Sequence, residues 1–218
     1  MCTRYFMDRD ETVISSIIDT ALATKLARKF QIELSRPMVT SGEVHPTDVA
    51  PVLAPNGRGE RAVYPMKWGF TITVEGKQKP VVNARIETAS AKPLFSDAWA
   101  KHRCVVPASW YFEWEHPKDD SIGSKKGNKY VIQPRGKSVT WLCGLYRMEN
   151  GYPVFAIITK PPTEELSRIH DRMPLILPED KIDDWISPDK NPDTLIGYAL
   201  TDMIAEKTTG TADGLFSC

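Results

Sequence analysis

No two cysteines in this sequence stand close enough to make a metal or redox pair. There are four among 218 residues, Cys2, Cys104, Cys143 and Cys218, widely spaced and without a CxxC. That spacing excludes a disulfide framework and a zinc module. His102 and Cys104 form only a two-ligand fragment with no partner at zinc spacing, so no metal and no cofactor is expected. The stretch "PNGRGE" has too few glycines, in the wrong context, for a phosphate-binding loop. No apolar run approaches the roughly 20 residues that span a bilayer, and the N-terminus lacks the basic start and apolar stretch of a secretory signal. The expected location is the cytoplasm, with no membrane partner. Formal net charge is zero, so whole-chain charge gives no reason to expect a nucleic-acid partner.

The distribution of charge is less neutral. Between Arg58 and Arg103 the basic residues Arg61, Lys67, Lys77, Lys79, Arg85, Lys92 and Lys101 outnumber Glu60, Glu75, Glu87 and Asp97. This segment reads either as one electropositive face or as accidental clustering on a solvated surface. There is no internal repeat, low-complexity tract or linker. The expectation is one domain over residues 1–218, monomeric by default.

Val13, Ile14, Ile17, Ile18, Ala21, Leu22, Leu26 and Phe30 recur at helical spacing, which predicts one amphipathic helix over 13–30, capped by Asp8 or Asp10. Short β-type runs follow, and "PNGRGE" reads as a hairpin turn. "KPVVNARIET" reads as a strand end and "KPLFSDAWAKH" as a short helix. "RCVVPASWYFEWE", "KYVIQP", "SVTWLCGLYRM" and "YPVFAIIT" read as strands, with a polar loop "HPKDDSIGSKKGN" between the first two. "TEELSRIHDRM" starts as a short helix and ends in a turn. "PEDKIDDWI" and "NPDTLIGYALTDMIA" read as C-terminal helices, and "TTGTADGLFSC" as a tail. The class is α+β, a mostly antiparallel sheet or barrel with helices around it.

Several residues carry possible chemistry. In a strand, Trp110, Phe112 and Trp114 share one face and Tyr111, Glu113 and Glu115 the other. Periodicity leaves open whether Glu113 meets solvent or is desolvated, in which case its carboxyl would become a proton carrier near neutral pH. His170 sits in a turn before Pro174, a proton-shuttle type in a loop setting; a structural histidine is the alternative. Asp171 and Arg172 beside it read as a surface ion pair of little energetic value. Asn83 and Arg85 suit an orienting amide and a phosphate clamp, or a turn and a surface cation. Trp68, before Gly69, suits stacking on a base if exposed, or ordinary core packing.

In order along the chain, "MC" followed by Arg4 and an aromatic, "WGF", "NARIET", "RCVVPASWYFEW" and "HDRMP" resemble the SOS-response-associated peptidase (SRAP) family of abasic-site processing proteins. The resemblance is strongest over residues 2–178, leaving the C-terminal helices and tail, 179–218, outside it. It implies a bifurcated, barrel-like and mostly antiparallel β-sheet surrounded by helices. It implies covalent capture of abasic (AP) sites in single-stranded DNA, with the nucleoid at damage sites as the working location. Residue by residue, it implies Cys2 as the nucleophile exposed by loss of Met1, with Asn83, Glu113 and His170 as its catalytic companions. Arg4, Trp68 and Arg85 fall at positions that contact DNA. AP-lyase and autopeptidase activities are implied as side reactions. The chain departs from the family's habit at Thr3 in place of glycine, at Ala108-Ser109 in place of Asp-Gly, and at "SGEVHPTDVAP" in place of an N-x-A-P segment. A cysteine peptidase with a Cys2–His170–Asn83 arrangement, and a non-covalent module for single-stranded DNA, are the other functions these residues permit.

Overall fold

The computed structural model describes residues 2–115 and 127–208. Most of the polar segment "HPKDDSIGSKKGN", most of the tail and Cys218 lie outside the described residues.

The chain begins with strand β1 (Tyr5–Met7). Two helices follow, α1 (Thr12–Leu22) and α2 (Lys25–Leu34), where helical periodicity predicted one. The break has a local cause. The Thr24 hydroxyl accepts from Ala27 N–H at 3.1 Å and so starts a new helix inside a continuous apolar stripe. The cap of α1 is Glu11, accepting from Ile14 N–H at 2.8 Å, in place of the expected aspartates. Ile14, Ile17, Ile18 and Ala21 of α1 and Phe30 of α2 are buried.

Next come β2 (Gly42–Val44), β3 (Val49–Pro55) and β4 (Arg61–Trp68), the last two joined through the predicted "PNGRGE" turn with Pro55 opposite Arg61. A two-stranded ribbon of β5 (Phe70–Val74) and β6 (Lys77–Val81) follows. Gly69 turns β4 into this ribbon with φ +120, and a Cβ there would lie 2.9 Å from Pro80 Cβ, so only glycine fits. Then come β7 (Asn83–Arg85), α3 (Ile86–Ala89) and α4 (Ser96–Lys101).

"RCVVPASWYFEWE" divides into β8 (Arg103–Ala108) and β9 (Trp110–Trp114). Ser109 marks the change of sheet. Its N–H donates to Phe6 O at 2.8 Å on the β1 side, while its carbonyl accepts from Thr140 Oγ1 at 2.9 Å on the other. The remaining strands are β10 (Lys129–Pro134), β11 (Thr140–Glu149) and β12 (Tyr152–Lys160). After α5 (Glu164–Ser167), β13 (Met173–Pro174) and α6 (Ile182–Ile186), the predicted final helix is instead two 3-10 turns, Pro192–Thr194 and Ile196–Tyr198, and a strand, β14 (Met203–Lys207). β14 finds an open edge on β10, with Ile132 opposite Ala205, and this tertiary pairing overrides the local helical pattern.

Strands β11, β8, β3, β4 and β12 close into a barrel, since β12 returns to pair β11. Most pairings are antiparallel, but β12 runs parallel to β4 and to β7. A five-stranded sheet in the order β14-β10-β9-β1-β2 stands beside the barrel. This is a single-domain α+β fold of the expected barrel-like kind. The seam between barrel and sheet is where the candidate residues meet.

Part of the basic segment is engaged inside the protein or in ion pairs. Arg103 is buried, and its guanidinium donates to the carbonyls of Trp99, Ala100, Trp185, Ser187 and Lys190. Arg61 is bound to Asp183 at 2.7 Å, and Lys101 to Asp97 at 3.1 Å. Three of its nine cations are thus already partnered, Arg103 inside the protein and Arg61 and Lys101 in ion pairs. Among the described residues no helix is long and apolar enough to cross a membrane, and no cluster of His, Cys, Asp and Glu could hold a metal ion.

Candidate functional site

Cys2 enters the core just ahead of β1 and is fully buried. Its Sγ lies 3.8 Å from Arg4 O, and Arg4 O also accepts from Phe112 N–H at 2.9 Å. The thiol is thus tied to the middle of β9. Burial, and then the nearby charge of Glu113, push the thiol pKa well above its ordinary value. At neutral pH Cys2 is a protonated thiol.

Asn83 reaches Cys2 from the barrel. β7 lies parallel to β12, with Asn83 opposite Ile157. Asn83 Nδ2 donates to Cys2 O at 2.8 Å. This bond crosses the seam and fixes the backbone of Cys2. Asn83 Oδ1 is buried and accepts no hydrogen bond, which leaves an acceptor beside the cysteine.

Glu113 projects from β9. It is 3% exposed, not on a wet outer face. Burial pushes its pKa from 4.5 up to about 7, with a smaller contribution from the charge of Asp171. His170 follows α5 in a turn and lies with Nε2 3.8 Å from Glu113 Oε2. Its Nδ1 accepts from Arg172 N–H at 3.1 Å and also lies 2.8 Å from Asp171 Oδ1. The first contact needs a bare Nδ1 and the second a protonated one. The imidazole therefore has an environment for its proton on either side, Glu113 at one nitrogen and Asp171 at the other.

Four of the expected residues, Cys2, Asn83, Glu113 and His170, are thus gathered at one place from four separate segments. The three others are not alike. Arg4 lies 5.0 Å over the Trp114 ring and 2.9 Å from Glu43 Oε2. Glu43 also binds Lys129, whose Nζ sits 3.7 Å from the centre of the Phe112 ring. Arg85 is exposed at the end of β7. Trp68 is a correction. It is fully buried, donates to Val82 O at 2.9 Å, stacks on Phe155 and tilts against Tyr5. With both faces packed in the barrel, the ring is not presented to a base. Thr3, at the family's glycine position, is not among the described residues with positive φ, so its side chain brings no backbone strain there.

Sequence reasoning missed Arg172. Far from a surface pair, its side chain is 10% exposed. It grips both oxygens of Glu87 at 2.6 and 2.9 Å and donates to Thr159 O at 2.6 Å. The guanidinium holds Glu87 below its ordinary pKa through these hydrogen bonds. Arg172 braces the turn that carries His170 from the outside. The only sequence signal was its place inside "HDRMP".

Fold and site together define a small α+β protein whose closed barrel and second sheet share a buried cysteine, a buried carboxyl and a half-buried imidazole. A family model described as SOS response associated peptidase (SRAP) matches residues 1–210, and the chain belongs to that family. Among its relatives is the abasic site processing protein YoaM of Bacillus subtilis, 32% identical in an alignment of 153 residues that covers 64% of this chain and 65% of YoaM, just under two thirds of that relative's length. The abasic site processing protein YobE of the same organism is 30% identical in an alignment of 183 residues that covers 75% of this chain and 81% of YobE. Two solved structures have the same fold. One is a protein from Bacteroides thetaiotaomicron, TM-score 0.68 and 20% identical, covering 94% of this chain and 91% of that one. The other is a phage-related protein from Bordetella bronchiseptica, TM-score 0.67 and 18% identical, covering 96% and 95%.

Proposed function

We propose that this chain processes abasic sites, and does so by covalent capture of the AP site in single-stranded DNA at Cys2. The observation that carries the reading is the meeting of a backbone-anchored Cys2 with a carboxyl whose pKa is about 7. The names of its relatives support AP-site processing in general.

The chemistry requires loss of Met1, because an amide nitrogen on Cys2 is not nucleophilic. A free α-amine has a pKa of roughly 7.7–8.0 and is partly neutral near pH 7. A ring-opened AP site presents an aldehyde at C1′. Glu113, as the carboxylic acid, gives a proton to the sugar ring oxygen while His170 takes the proton of the C1′ hydroxyl. The amine adds to the aldehyde, one amine proton passes to the new oxyanion, and His170 returns its proton to that hydroxyl, which leaves as water as the nitrogen lone pair forms the C=N bond. The iminium that remains is attacked by the thiol of the same residue, and a five-membered thiazolidine closes. Both nucleophiles are on one residue, so the second step is intramolecular and gains the associated proximity advantage. Asn83 holds the Cys2 backbone during both steps, while Arg4 and Arg85 hold flanking phosphates. β-Elimination from the iminium would give strand cleavage as a side reaction.

The peptidase alternative needs an asparagine that orients the histidine. Here the Asn83 amide donates to Cys2 O instead. A non-covalent module has no use for the buried thiol and carboxyl. The test is to mix Met1-processed protein with single-stranded DNA carrying one AP site and to run a denaturing gel. A heat-stable retarded band is expected. Binding without a retarded band overturns covalent capture, and peptide hydrolysis without it favours the peptidase.

A further inference from the structure

Tyr111 has no part in the chemistry just described, yet it stands inside the site. It belongs to β9, two residues before Glu113, so the two side chains leave the strand on the same face. Between them is Phe112, whose N–H meets Arg4 O at 2.9 Å, the same carbonyl that lies 3.8 Å from Cys2 Sγ. The thiol is therefore held at the backbone of the residue that separates Tyr111 from Glu113. The Tyr111 hydroxyl is fully buried and has no hydrogen-bond partner among the described residues. A buried hydroxyl left in that state costs about 1–3 kcal/mol, which is a reason to look for a partner that forms only during reaction.

Tyr111 is not alone in this. Tyr5, its register partner on β1, also carries a buried hydroxyl without a partner. Their surroundings differ. After burial, the charges that bear on Tyr111 are those of Cys2 and Glu113, whereas Asp48 is the first to bear on Tyr5. Cys2 bears on both tyrosines, but Glu113 bears on Tyr111 alone of the pair.

We propose that the Tyr111 hydroxyl relays the Cys2 thiol proton to Glu113 as the thiazolidine closes. The inference rests on the thiazolidine reading above. As the sulfur–carbon bond forms, the π pair of the iminium moves onto nitrogen, which keeps its proton. The thiol proton passes to the Tyr111 oxygen while the Tyr111 proton passes to the Glu113 carboxylate, formed earlier when Glu113 opened the sugar ring. The iminium's positive charge and the carboxylate's negative charge disappear together, and the step needs no oxidant, reductant or external base. Such a relay answers a definite need. Burial keeps the thiol protonated, so the sulfur must lose its proton as it attacks.

The experiment compares Tyr111→Phe and Tyr5→Phe with the wild type, all with Met1 removed. Two rates are read on denaturing gels: appearance of the iminium, trapped with borohydride, and appearance of the adduct that survives heat without borohydride. Tyr111→Phe removes one oxygen atom that bonds to none of the described residues, so its thermal midpoint should equal or exceed that of the wild type. Trapping should be unchanged, while closure slows by about 100-fold, the lower end of what a positioned proton-transfer group contributes. Tyr5→Phe should leave both rates within about twofold. Closure by Tyr111→Phe at the wild-type rate overturns the relay, as does equal slowing in both variants, which would trace the effect to general loss of buried polarity. A wild-type protein that gives no heat-stable adduct overturns the thiazolidine reading and the relay together.

Discussion

The barrel interior and the seam beside it each bury cysteine, and they bury it differently. Cys104 on β8 and Cys143 on β11 are free and fully enclosed, as Cys2 is. Burial pushes all three thiols well above their ordinary pKa. By burial and titration alone they are the same residue. Their neighbours separate them. The titratable groups that feel Cys104 are Tyr5, Cys143 and Tyr146, each held above its ordinary pKa chiefly by burial, so none of them takes a proton at neutral pH. Cys2 has Asn83 on its carbonyl and Glu113 within electrostatic reach. On the proposed reading, what sets Cys2 apart is which groups can move its proton. An abnormal pKa does not single it out.

The hardest test of that contrast is to exchange the alanines. Cys2→Ala should abolish the heat-stable DNA adduct while leaving an amine that still gives a borohydride-trapped band. Cys104→Ala should leave adduct formation at the wild-type rate and cost about 1–2 kcal/mol of stability, from lost contacts and a small cavity. A stable adduct from Cys2→Ala would end the thiazolidine reading. Loss of the adduct in Cys104→Ala would end the division between the two regions.

Glu113 supplies the next test, through pH. Its folded pKa of about 7 stands above the ordinary 4.5. Between those values the folded protein keeps a proton that the unfolded chain has lost, so stability is full below about pH 4.5 and falls as pH rises to about 7. The loss is at most about 3 kcal/mol across that window. Glu113→Gln, neutral at every pH, should flatten this part of the stability curve measured by denaturant unfolding. It should also slow adduct formation by about 100-fold. An unchanged curve would place the carboxyl in water, against its burial.

A smaller effect is expected at Arg172, which touches neither Cys2 nor Glu113. Arg172→Ala removes two bonds to Glu87 and one to Thr159 O, at about 1–3 kcal/mol. With the His170 turn unbraced, adduct formation should slow by about 10-fold, within the loss that follows from misplacing a catalytic group. Arg172→Lys keeps the charge but not the fork, so it should recover stability only in part. Adduct formation at full rate in Arg172→Ala would mean that the turn holds itself.

What the sequence made legible divides along the same line. Short continuous apolar strands such as "YPVFAIIT" were plain, and so was the face shared by Tyr111 and Glu113. The motifs named Cys2, Asn83, Glu113 and His170, the four residues that the fold brings together. Their meeting was not legible, because Cys2 and Asn83 touch across two sheets 81 residues apart. Burial of Glu113 and Trp68 was equally hidden, since alternation gives a face but not what covers it. The helix break at Thr24 turned on one hydroxyl. The strand β14 turned on an open edge of β10 that exists only after folding. Arg172 was misjudged because its partner, Glu87, lies 85 residues away.

The gentlest test keeps all of the seam and touches only the barrel. At Gly144, opposite Cys104 in the β8–β11 register, an added Cβ would lie 3.0 Å from both Cys104 Sγ and Ala156 O. Gly144→Ala should therefore destabilise by about 1–3 kcal/mol, the usual cost of overpacking. The adduct rate should stay at the wild-type value at temperatures well below the thermal midpoint. The double variant Cys104→Ala/Gly144→Ala removes one of the two close contacts, so it should lose less stability than the sum of the single changes. A positive coupling with an unaltered adduct rate would establish that packing in the barrel is felt locally and stops at the seam. A changed rate would mean that Asn83, held on β7 against β12, carries barrel strain into the position of Cys2.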